Sequence, residues 1–319
     1  MVHVARGYTE GAGTPTALAG YHYPTIHEEA ARVIREHSSH PEDIRNVAFA
    51  GLELDGVTRA IDVGCGFGLM SEALALRCSR DAFILGIDAE DSNRDLFLDR
   101  LQRTGRQGQF VQMVVEDSLP YGDGLFEAAV CSYSLYFFPR IVPDLARVLA
   151  PDGVLVAVTH TEESCRKLAR LLNLVEDASP LVRLVAQFSG ERGRGLLLEY
   201  FEEVEAIEYR NALRFGQGTL EPLFSYLRFK LPFMLETDEV GPGGVRELVE
   251  AHLAENRLQL MRRAEVLVPK DDVIFRCRRP RRGGAAGSPC GARGAAPPPG
   301  TGVQARAADR PGEAGHSCR

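Results

Sequence analysis

The chain has little lysine, no closely paired cysteines and no long apolar run. Its 319 residues include 3 lysines against 34 arginines. The 7 cysteines are odd in number, lie far apart and form no C-x-x-C pair, so we expect neither a disulfide framework nor a metal site such as a zinc cluster. Because no run of about 18 apolar residues occurs, we do not expect a membrane-spanning helix.

Basic runs and an apolar leader are also missing. Acidic residues outnumber basic ones, 44 against 37, for a net charge of −7, which argues against binding to the phosphates of nucleic acid. Residues 1–7 contain no apolar signal core, so we expect a cytoplasmic protein. What is present is an ordinary globular balance of 45% apolar and 25% charged residues, which is enough for a sizeable core.

Composition divides the chain into four parts. Residues 1–20 are rich in Gly, Ala and Thr and lack periodicity, which predicts a flexible N-terminal arm. Residues 21–54 hold two predicted cap helices, and residues 55–280 form the predicted working domain. Residues 281–319 are nearly all Gly, Ala, Pro, Arg and Ser. We expect this tail to be disordered, because it has too little apolar surface to offset its ordering entropy.

Short apolar segments alternate with helical segments in the first part of the working domain. The predicted strands are 60–63, 82–87, 110–115, 125–131 and 154–158. Strands separated by helices of this length imply a parallel sheet with right-handed crossovers, and therefore an α/β fold. Further on, residues 204–209 alternate as a sixth strand would. Residues 265–268 and 272–277 predict a final hairpin or one long bulged strand.

The sharpest signal is a glycine-rich turn between the first predicted strand and the helix after it. Asp62 precedes Gly64, Gly66 and Gly68, and glycine lets a backbone turn tightly and approach a ligand closely. The spacing G-x-G-x-G differs from the dinucleotide pattern G-x-G-x-x-G. The start of the following helix adds partial positive charge, which suits the carboxylate of a ligand.

Acidic residues end the next two predicted strands. Asp88 follows the second strand, where a carboxylate can accept hydrogen bonds from two ribose hydroxyls. Glu116 and Asp117 follow the third, where one of the two acids could hold an adenine amino group. Because the carboxyl ends of parallel strands share one edge of a sheet, we expect these residues to border a single ligand crevice.

With these motifs, residues of about 55–160 resemble the class I S-adenosylmethionine-dependent methyltransferases, in particular their small-molecule, ubiquinone-biosynthesis-like branch. Residues 119–127 read LPYGDGLFE, similar to the LPF-x-D-x-x-FD stretch of that branch, with Glu127 in place of Asp. Residues 144–153 read DLARVLAPDG, similar to its E-x-x-R-V-L-K-P-G-G stretch. The resemblance implies a Rossmann-like, doubly wound, mostly parallel seven-stranded sheet with an antiparallel last strand.

The same resemblance implies S-adenosylmethionine as the cofactor. Its methionine part would lie at the glycine-rich turn, its ribose at Asp88 and its adenine at the acidic pair that follows the third strand. The cofactor-binding residues implied in this way are Asp62, Gly64, Cys65, Gly66, Gly68, Asp88, Ala89, Glu116, Asp117, Ser118 and Cys131.

Few residues are candidates for catalysis. Methyl transfer requires alignment of the nucleophile with the methyl group, and it requires a general base only where the nucleophile must lose a proton early. The candidates are His160, which closes the fifth strand; Tyr133, after the fourth; and His22 with Tyr23, before the first cap helix. For each of them, packing or a partly exposed position is the alternative interpretation.

Two further features bear on the substrate. Residues 131–134 read Cys-Ser-Tyr-Ser, where methyltransferases acting on nucleic-acid amines or on glutamine carry Asn/Asp-Pro-Pro-Tyr/Phe, so we expect a small molecule. A helical, aromatic-rich insertion at about 211–262 is expected to form a lid or the wall of a pocket. Core packing, or the interface of a homodimer, is the alternative use of this insertion.

We therefore expect methyl transfer to an O, N or C nucleophile of a small, partly apolar metabolite. The preference for arginine is typical of genes with a high G+C content, whose sources are rich in tailoring methyltransferases, and it favours a natural-product tailoring step. One alternative is a protein that binds the cofactor without methyl transfer, as a cyclase or a binding partner. Another is a protein or tRNA methyltransferase.

Overall fold

The computed structural model describes residues 24–216, 220–237 and 242–282. The chain separates into two compact units, Met1–Gly283 and Gly284–Arg319, and all the described residues belong to the first. The predicted arm and the predicted tail beyond Arg282 lie outside the described residues, so both remain predictions.

The strands of the described residues form two sheets. The strands are β1 Arg59–Val63, β2 Phe83–Asp88, β3 Gln107–Gln112, β4 Phe126–Ser132, β5 Leu149–His160, β6 Phe201–Tyr209, β7 Ala212–Gly216, β8 Glu265–Pro269 and β9 Asp272–Pro280. The main sheet has seven strands in the order β3-β2-β1-β4-β5-β9-β6. Pairs among β1 to β5 are parallel, and β9 runs antiparallel to β5 and β6. The predicted sheet, with its antiparallel last strand, is confirmed.

Helices cover both faces of the main sheet. They are α1 Pro24–His37, α2 Ile44–Phe49, α3 Leu69–Ala75, α4 Arg94–Thr104, α5 Val142–Val148, α6 Glu162–Leu171, α7 Pro180–Val185, α8 Gly193–Tyr200, α9 Leu220–Lys230 and α10 Pro242–Met261. Buried residues of β1 alternate between two hydrophobic clusters, with Ile61 and Val63 in one and Ala60 in the other. Because neighbouring side chains of a strand point to opposite faces, the clusters are the two cores of a doubly wound sheet. Across the described ranges, no helix is both long and apolar enough to pass through a bilayer.

Several strands differ from the sequence prediction. β5 begins at Leu149 and not at 154, because Leu149 already pairs with Phe126 of β4. β3 ends at Gln112 and not at 115, because its pairing with β2 runs from Gln107 to Gln112. The apolar residues that follow do not extend this pairing. The prediction of a final hairpin or single bulged strand is wrong, because β8 pairs with β7 in a separate sheet. β9 fills the gap between β5 and β6, so both of its edges are occupied and β8 must pair elsewhere.

The segment predicted as a helical insertion begins with strand β7 and continues into α9 and α10. α9 packs against α1 through aromatic rings. His27 of α1 stacks on Phe229 of α9, with 4.7 Å between ring centroids, and meets the ring of Phe67 edge-on at 4.6 Å. Since Phe67 belongs to the glycine-rich turn, α1 contacts that turn directly, and α9 packs against α1 beside it.

Candidate active site

The glycine-rich turn is held against the end of β2. The backbone N–H groups of Gly64 and Cys65 both donate to the carbonyl of Ile87, at 2.8 and 3.0 Å. Gly64, Gly66 and Gly68 have φ angles of 76°, 50° and 86°, which lie in the left-handed region that favours glycine. The shape of the turn therefore depends on the absence of side chains.

Replacing Gly64 with alanine is expected to destabilise the fold by about 2–5 kcal/mol, the sum of backbone strain and overpacking. A Cβ at this position would lie 2.3 Å from the Cβ of Ser134. The matched control is Gly105→Ala, where φ is 72° and a Cβ would meet nothing within 4 Å, so that strain alone applies. Thermal unfolding measures both variants, and equal losses in Tm would contradict the packing argument.

Asp62 lies on β1 next to the turn, with 1% of its surface exposed. Its Oδ2 accepts a hydrogen bond from Ser71 Oγ at 2.5 Å, whereas Oδ1 is buried and has no partner among the described residues. Burial raises the pKa of Asp62 to about 7, and the neighbouring Asp88 adds to this increase against the effect of Ser71. A buried acceptor without a donor costs about 1–3 kcal/mol, so a ligand that donates a hydrogen bond would fit here.

Asp88 ties the turn to the loop that follows β2. Its Oδ2 accepts from the Gly66 N–H at 2.7 Å, and its Oδ1 accepts from the Glu90 N–H at 2.9 Å. Burial raises the pKa of Asp88, although these two N–H groups oppose the increase. Because a carboxylate has about four acceptor sites, roughly two remain for a ligand. Asn93, which sequence reasoning missed, lies beside Asp88 with 1% exposure.

The three adenine candidates lie on the loop after β3. Glu116, Asp117 and Ser118 are all exposed. The loop starts next to the ribose candidate, because the Met113 N–H donates to the carbonyl of Asp88 at 2.8 Å. The structure thus brings one exposed acidic loop to the edge of the sheet where Asp88 lies.

The remaining predicted cofactor residues differ in exposure. Ala89 is half-buried directly after Asp88. Cys65 and Cys131 are buried, and burial raises the pKa of both thiols well above the usual range. Neither cysteine is therefore a thiolate nucleophile at neutral pH.

A second group of side chains lies at the carboxyl ends of β4 and β5. His160, the last residue of β5, is 6% exposed, and its Nδ1 lies 2.6 Å from Oδ1 of Asp272. Asp272 begins the antiparallel β9 and so reaches the same edge. Since an ionised carboxylate can only accept, Nδ1 carries the proton and Nε2 carries a lone pair. That nitrogen lies 3.0 Å from Nζ of Lys230.

Burial and neighbouring charges determine the protonation of this pair. Burial, together with the charge of Lys230, lowers the pKa of His160 to about 4, although Asp272 opposes this. Burial alone would raise the pKa of Asp272, but Lys270 and His160 hold it well below its usual range. At neutral pH the pair is therefore a neutral imidazole on a carboxylate, which is the form that a general base requires.

Tyr133 connects the pair to a lysine. Its hydroxyl donates to Oδ2 of Asp272 at 2.8 Å and accepts from Nζ of Lys270 at 3.1 Å. The same ammonium lies 2.7 Å from Oδ2 of Asp272. Burial raises the pKa of Tyr133 well above its usual range, so Tyr133 serves as a hydrogen-bond donor and not as a base. Its φ of 54° is unusual for a residue other than glycine, and such backbone strain clusters at functional sites.

Of the predicted catalytic residues, the structure brings His160 and Tyr133 together, with 4.7 Å between ring centroids. His22 and Tyr23 lie outside the described residues. Within the part of the chain that the structure describes, no group of three or more His, Cys, Asp or Glu side chains could hold a metal ion.

Sequence reasoning missed three members of this second group, namely Lys230, Lys270 and Asp272. One signal was available, since the two lysines are among only 3 in a chain with 34 arginines. Nothing in the local pattern distinguishes Asp272 from the adjacent Asp271, and only the pairing of β9 with β5 places Asp272 opposite His160.

Comparison with known proteins adds a domain assignment to this geometry. Residues 61–157 match the model of the methyltransferase-domain family. A ubiquinone biosynthesis O-methyltransferase of Dechloromonas aromatica is 32% identical over 98 residues, which are 30% of this chain and 41% of that protein. Its counterpart in Xylella fastidiosa is 34% identical over 131 residues, 40% of this chain and 50% of that protein. The chain thus spans half or less of the length of these curated relatives.

A solved structure that the comparison with this chain found shares less of the sequence. An S-adenosylmethionine-dependent methyltransferase from Geobacter sulfurreducens, in complex with S-adenosylhomocysteine, is 18% identical and has a TM-score of 0.46. The match covers 81% of this chain and 99% of that chain. At this level, the similarity says nothing about the reaction or the substrate.

Proposed function

We propose that this chain, whose residues 61–157 match a methyltransferase-domain family, transfers the methyl group of S-adenosylmethionine to a hydroxyl oxygen of a small, partly apolar metabolite. The observation that carries the proposal is the His160–Asp272 pair, which lies at the same sheet edge as the glycine-rich turn and Asp88. A base at that edge can remove the proton that a hydroxyl must lose. The relatives named as O-methyltransferases support oxygen as the acceptor atom. The choice of a natural-product tailoring step rests on composition alone.

The residues at the turn fit the cofactor. The unpartnered Oδ1 of Asp62 would accept a hydrogen bond from the ammonium group of its methionine part. Asp88 would accept from the ribose hydroxyls, and Glu116 or Asp117 would hold the adenine amino group. When bound, S-adenosylmethionine supplies an electrophilic methyl group on a sulfonium.

The second group of side chains manages the proton of the acceptor. His160 accepts it at Nε2, while Asp272 keeps Nδ1 protonated and stabilises the resulting imidazolium. Tyr133 and Lys270 hold Asp272 in place through their hydrogen bonds to Oδ2. α1 and α9 cover the site, and this cover would exclude water from the reacting groups.

The affinity for S-adenosylmethionine is expected to rise about tenfold between about pH 6 and about pH 8. The pKa of Asp62 is about 7, and the ionised carboxylate binds an ammonium group better than the protonated form does. Titration calorimetry across this range measures the effect. Asp62→Asn should bind more weakly and show a flat profile, whereas Asp99→Ala, on the exposed side of α4, should behave as the wild type.

The same carboxyl has the opposite effect on the ligand-free fold. Its pKa is raised above the unfolded value, so its contribution to stability is present below about pH 4 and is lost as the pH rises through about 7. When unfolding by denaturant is measured across this pH range, the free energy of unfolding of Asp62→Asn should not show this decrease. Two results for the wild type would contradict the role of Asp62. One is a cofactor affinity that does not change with pH, and the other is a free energy of unfolding that does not fall as the pH rises.

The direct test of function is release of S-adenosylhomocysteine in the presence of candidate acceptors. Phenols, enols, amines and aliphatic alcohols form the panel, and mass spectrometry identifies the methylated product. We expect release with a hydroxyl acceptor. Cofactor binding without release for any acceptor would favour the cyclase or binding role, and release only with tRNA or protein would overturn the small-molecule assignment.

A further inference from the structure

Lys230 is a buried cation without a carboxylate partner. It ends α9 and is 8% exposed, and its Nζ lies 3.0 Å from Nε2 of His160. No ion pair in the described ranges includes Lys230, whereas Lys270 is paired with Asp272 at 2.7 Å. With His160 neutral, two ammonium groups face one carboxylate. The buried cluster therefore carries a net charge of about +1, which is costly unless a ligand compensates it.

The identity of this residue runs against the composition of the chain. The chain contains 34 arginines and 3 lysines. The third lysine, Lys167, lies exposed on α6. An ammonium is a compact point charge with three rotatable donors, whereas a guanidinium is planar and stays charged. Lysine at 230 thus provides a small cation that can turn from one partner to another within a closed site.

Lys230 also lies near both proposed parts of the site, the glycine-rich turn and the base. The adjacent Phe229 stacks on His27, and His27 in turn meets Phe67 of the glycine-rich turn. On its other side, the ammonium of Lys230 contacts the imidazole of His160. The ammonium also lies 5.9 Å from the centroid of the Phe229 ring, so it adjoins both the aromatic rings that meet the glycine-rich turn and the proposed base.

We propose that Lys230 binds the acceptor as an oxyanion, so that the substrates of this enzyme are compounds with an acidic hydroxyl, namely phenols or enols. The inference rests on the proposed methyl transfer. An oxyanion supplies the negative charge that the cluster lacks, whereas a protonated amine is repelled and an aliphatic alcohol ionises too weakly to benefit.

The proton transfer that this binding requires is balanced within the cluster. Lys230 turns from Nε2 of His160 to the oxygen of the acceptor, which leaves the lone pair of Nε2 available. The hydroxyl proton passes to Nε2, and the electron pair of the O–H bond stays on the oxygen. Asp272 stabilises the imidazolium, and the Lys230 ammonium stabilises the oxyanion.

Loss of the Lys230 proton should end this binding at alkaline pH. Burial lowers the pKa of Lys230 to about 8, so binding of the oxyanion should weaken above about pH 8. The titratable and charged groups that face Lys230 are His27 on α1, His160 on β5, Cys165 on α6, and Lys270 and Asp272 at the start of β9.

The experiment uses 4-nitrophenol as the probe, because its absorption spectrum distinguishes phenol from phenolate. It is titrated against pH in the presence of the full chain loaded with S-adenosylhomocysteine. We expect the pKa of bound 4-nitrophenol to lie about one unit below its value in water, a tenfold preference for the oxyanion. Binding of 4-nitroaniline, a neutral molecule of the same size, provides the reference.

Three variants separate the role of Lys230 from folding. Lys230→Met should lose the shift while it still binds S-adenosylhomocysteine and 4-nitroaniline. Lys230→Arg should keep the shift but lose the decline above about pH 8, since a guanidinium stays charged. Lys167→Met, the exposed lysine, should match the wild type.

Two failures are distinguishable. A chain that does not bind S-adenosylhomocysteine would overturn the proposed function itself. If the chain binds S-adenosylhomocysteine normally, three results with 4-nitrophenol would overturn only the role of Lys230. The probe does not bind, it binds as the neutral phenol, or it binds as phenolate equally well to Lys230→Met.

Discussion

His160→Gln is expected to lower kcat by about 10²–10⁴-fold, the usual contribution of a general base. Glutamine retains a polar side chain of similar reach but cannot take up a proton. The affinity for S-adenosylmethionine should stay within about twofold of the wild type, because His160 lies outside the turn that would hold the cofactor. Single-turnover formation of S-adenosylhomocysteine with the acceptor found by the panel measures the effect. A variant with the wild-type kcat would remove His160 from the reaction.

Asp272 acts through His160 and is a positioning residue, so its variant needs a more specific measurement. Asp272→Asn should reduce kcat while KM and cofactor affinity change little, since the imidazole loses the carboxylate that keeps Nδ1 protonated. The neighbouring Asp271→Asn is the control, because the carboxylate of Asp271 accepts from the Asn211 N–H at 2.9 Å instead. If both variants show the same increase in KM and the same decrease in Tm, the role of Asp272 is structural alone.

The pH profile provides an independent check on the His160–Asp272 pair. The pKa of His160 is lowered to about 4, so the neutral form dominates throughout the neutral range. We therefore expect no decline of kcat between about pH 8 and about pH 6, where an ordinary histidine would become protonated. A decline centred near about pH 6.5 would contradict the protonation state assigned to His160.

The second large effect is expected for Asp88→Ala, which should weaken S-adenosylmethionine binding by about 100-fold or more. Hydrogen bonds to a charged group contribute about 1.5–3 kcal/mol each, and two ribose hydroxyls would lose theirs. The Gly66 and Glu90 N–H groups would also lose their acceptor. Titration calorimetry measures Kd, with Asp99→Ala as the control for removal of an exposed carboxylate.

A second variant separates binding from folding at this position. Asp88→Asn keeps one oxygen as an acceptor for a backbone N–H, so it should retain the fold while binding remains weaker than in the wild type. If both variants fold, as judged by circular dichroism, and bind S-adenosylmethionine as the wild type does, then Asp88 is not the residue that holds the ribose.

Much of the fold could be predicted from local signals. Glycine at 64, 66 and 68 indicates a tight turn because only glycine tolerates the positive φ angles found there. Asp88 could be placed because it directly follows a continuous apolar strand. The bounds of β3 could not, since its outer residues are polar and the pairing with β2 decides where it ends.

The sequence by itself determined the α/β class of the domain, its parallel strands and the turn that would hold the cofactor, because each depends on residues that are neighbours along the chain. Only the tertiary structure decided what surrounds His160. Its partners are distant, since Asp272 lies 112 residues away and Lys230 lies 70 residues away. The antiparallel insertion of β9 beside β5, and the packing of α9 on α1, bring them together. The scarcity of lysine was a signal in the sequence, but only the structure shows that Lys270 pairs with Asp272 and that Lys230 is buried against His160.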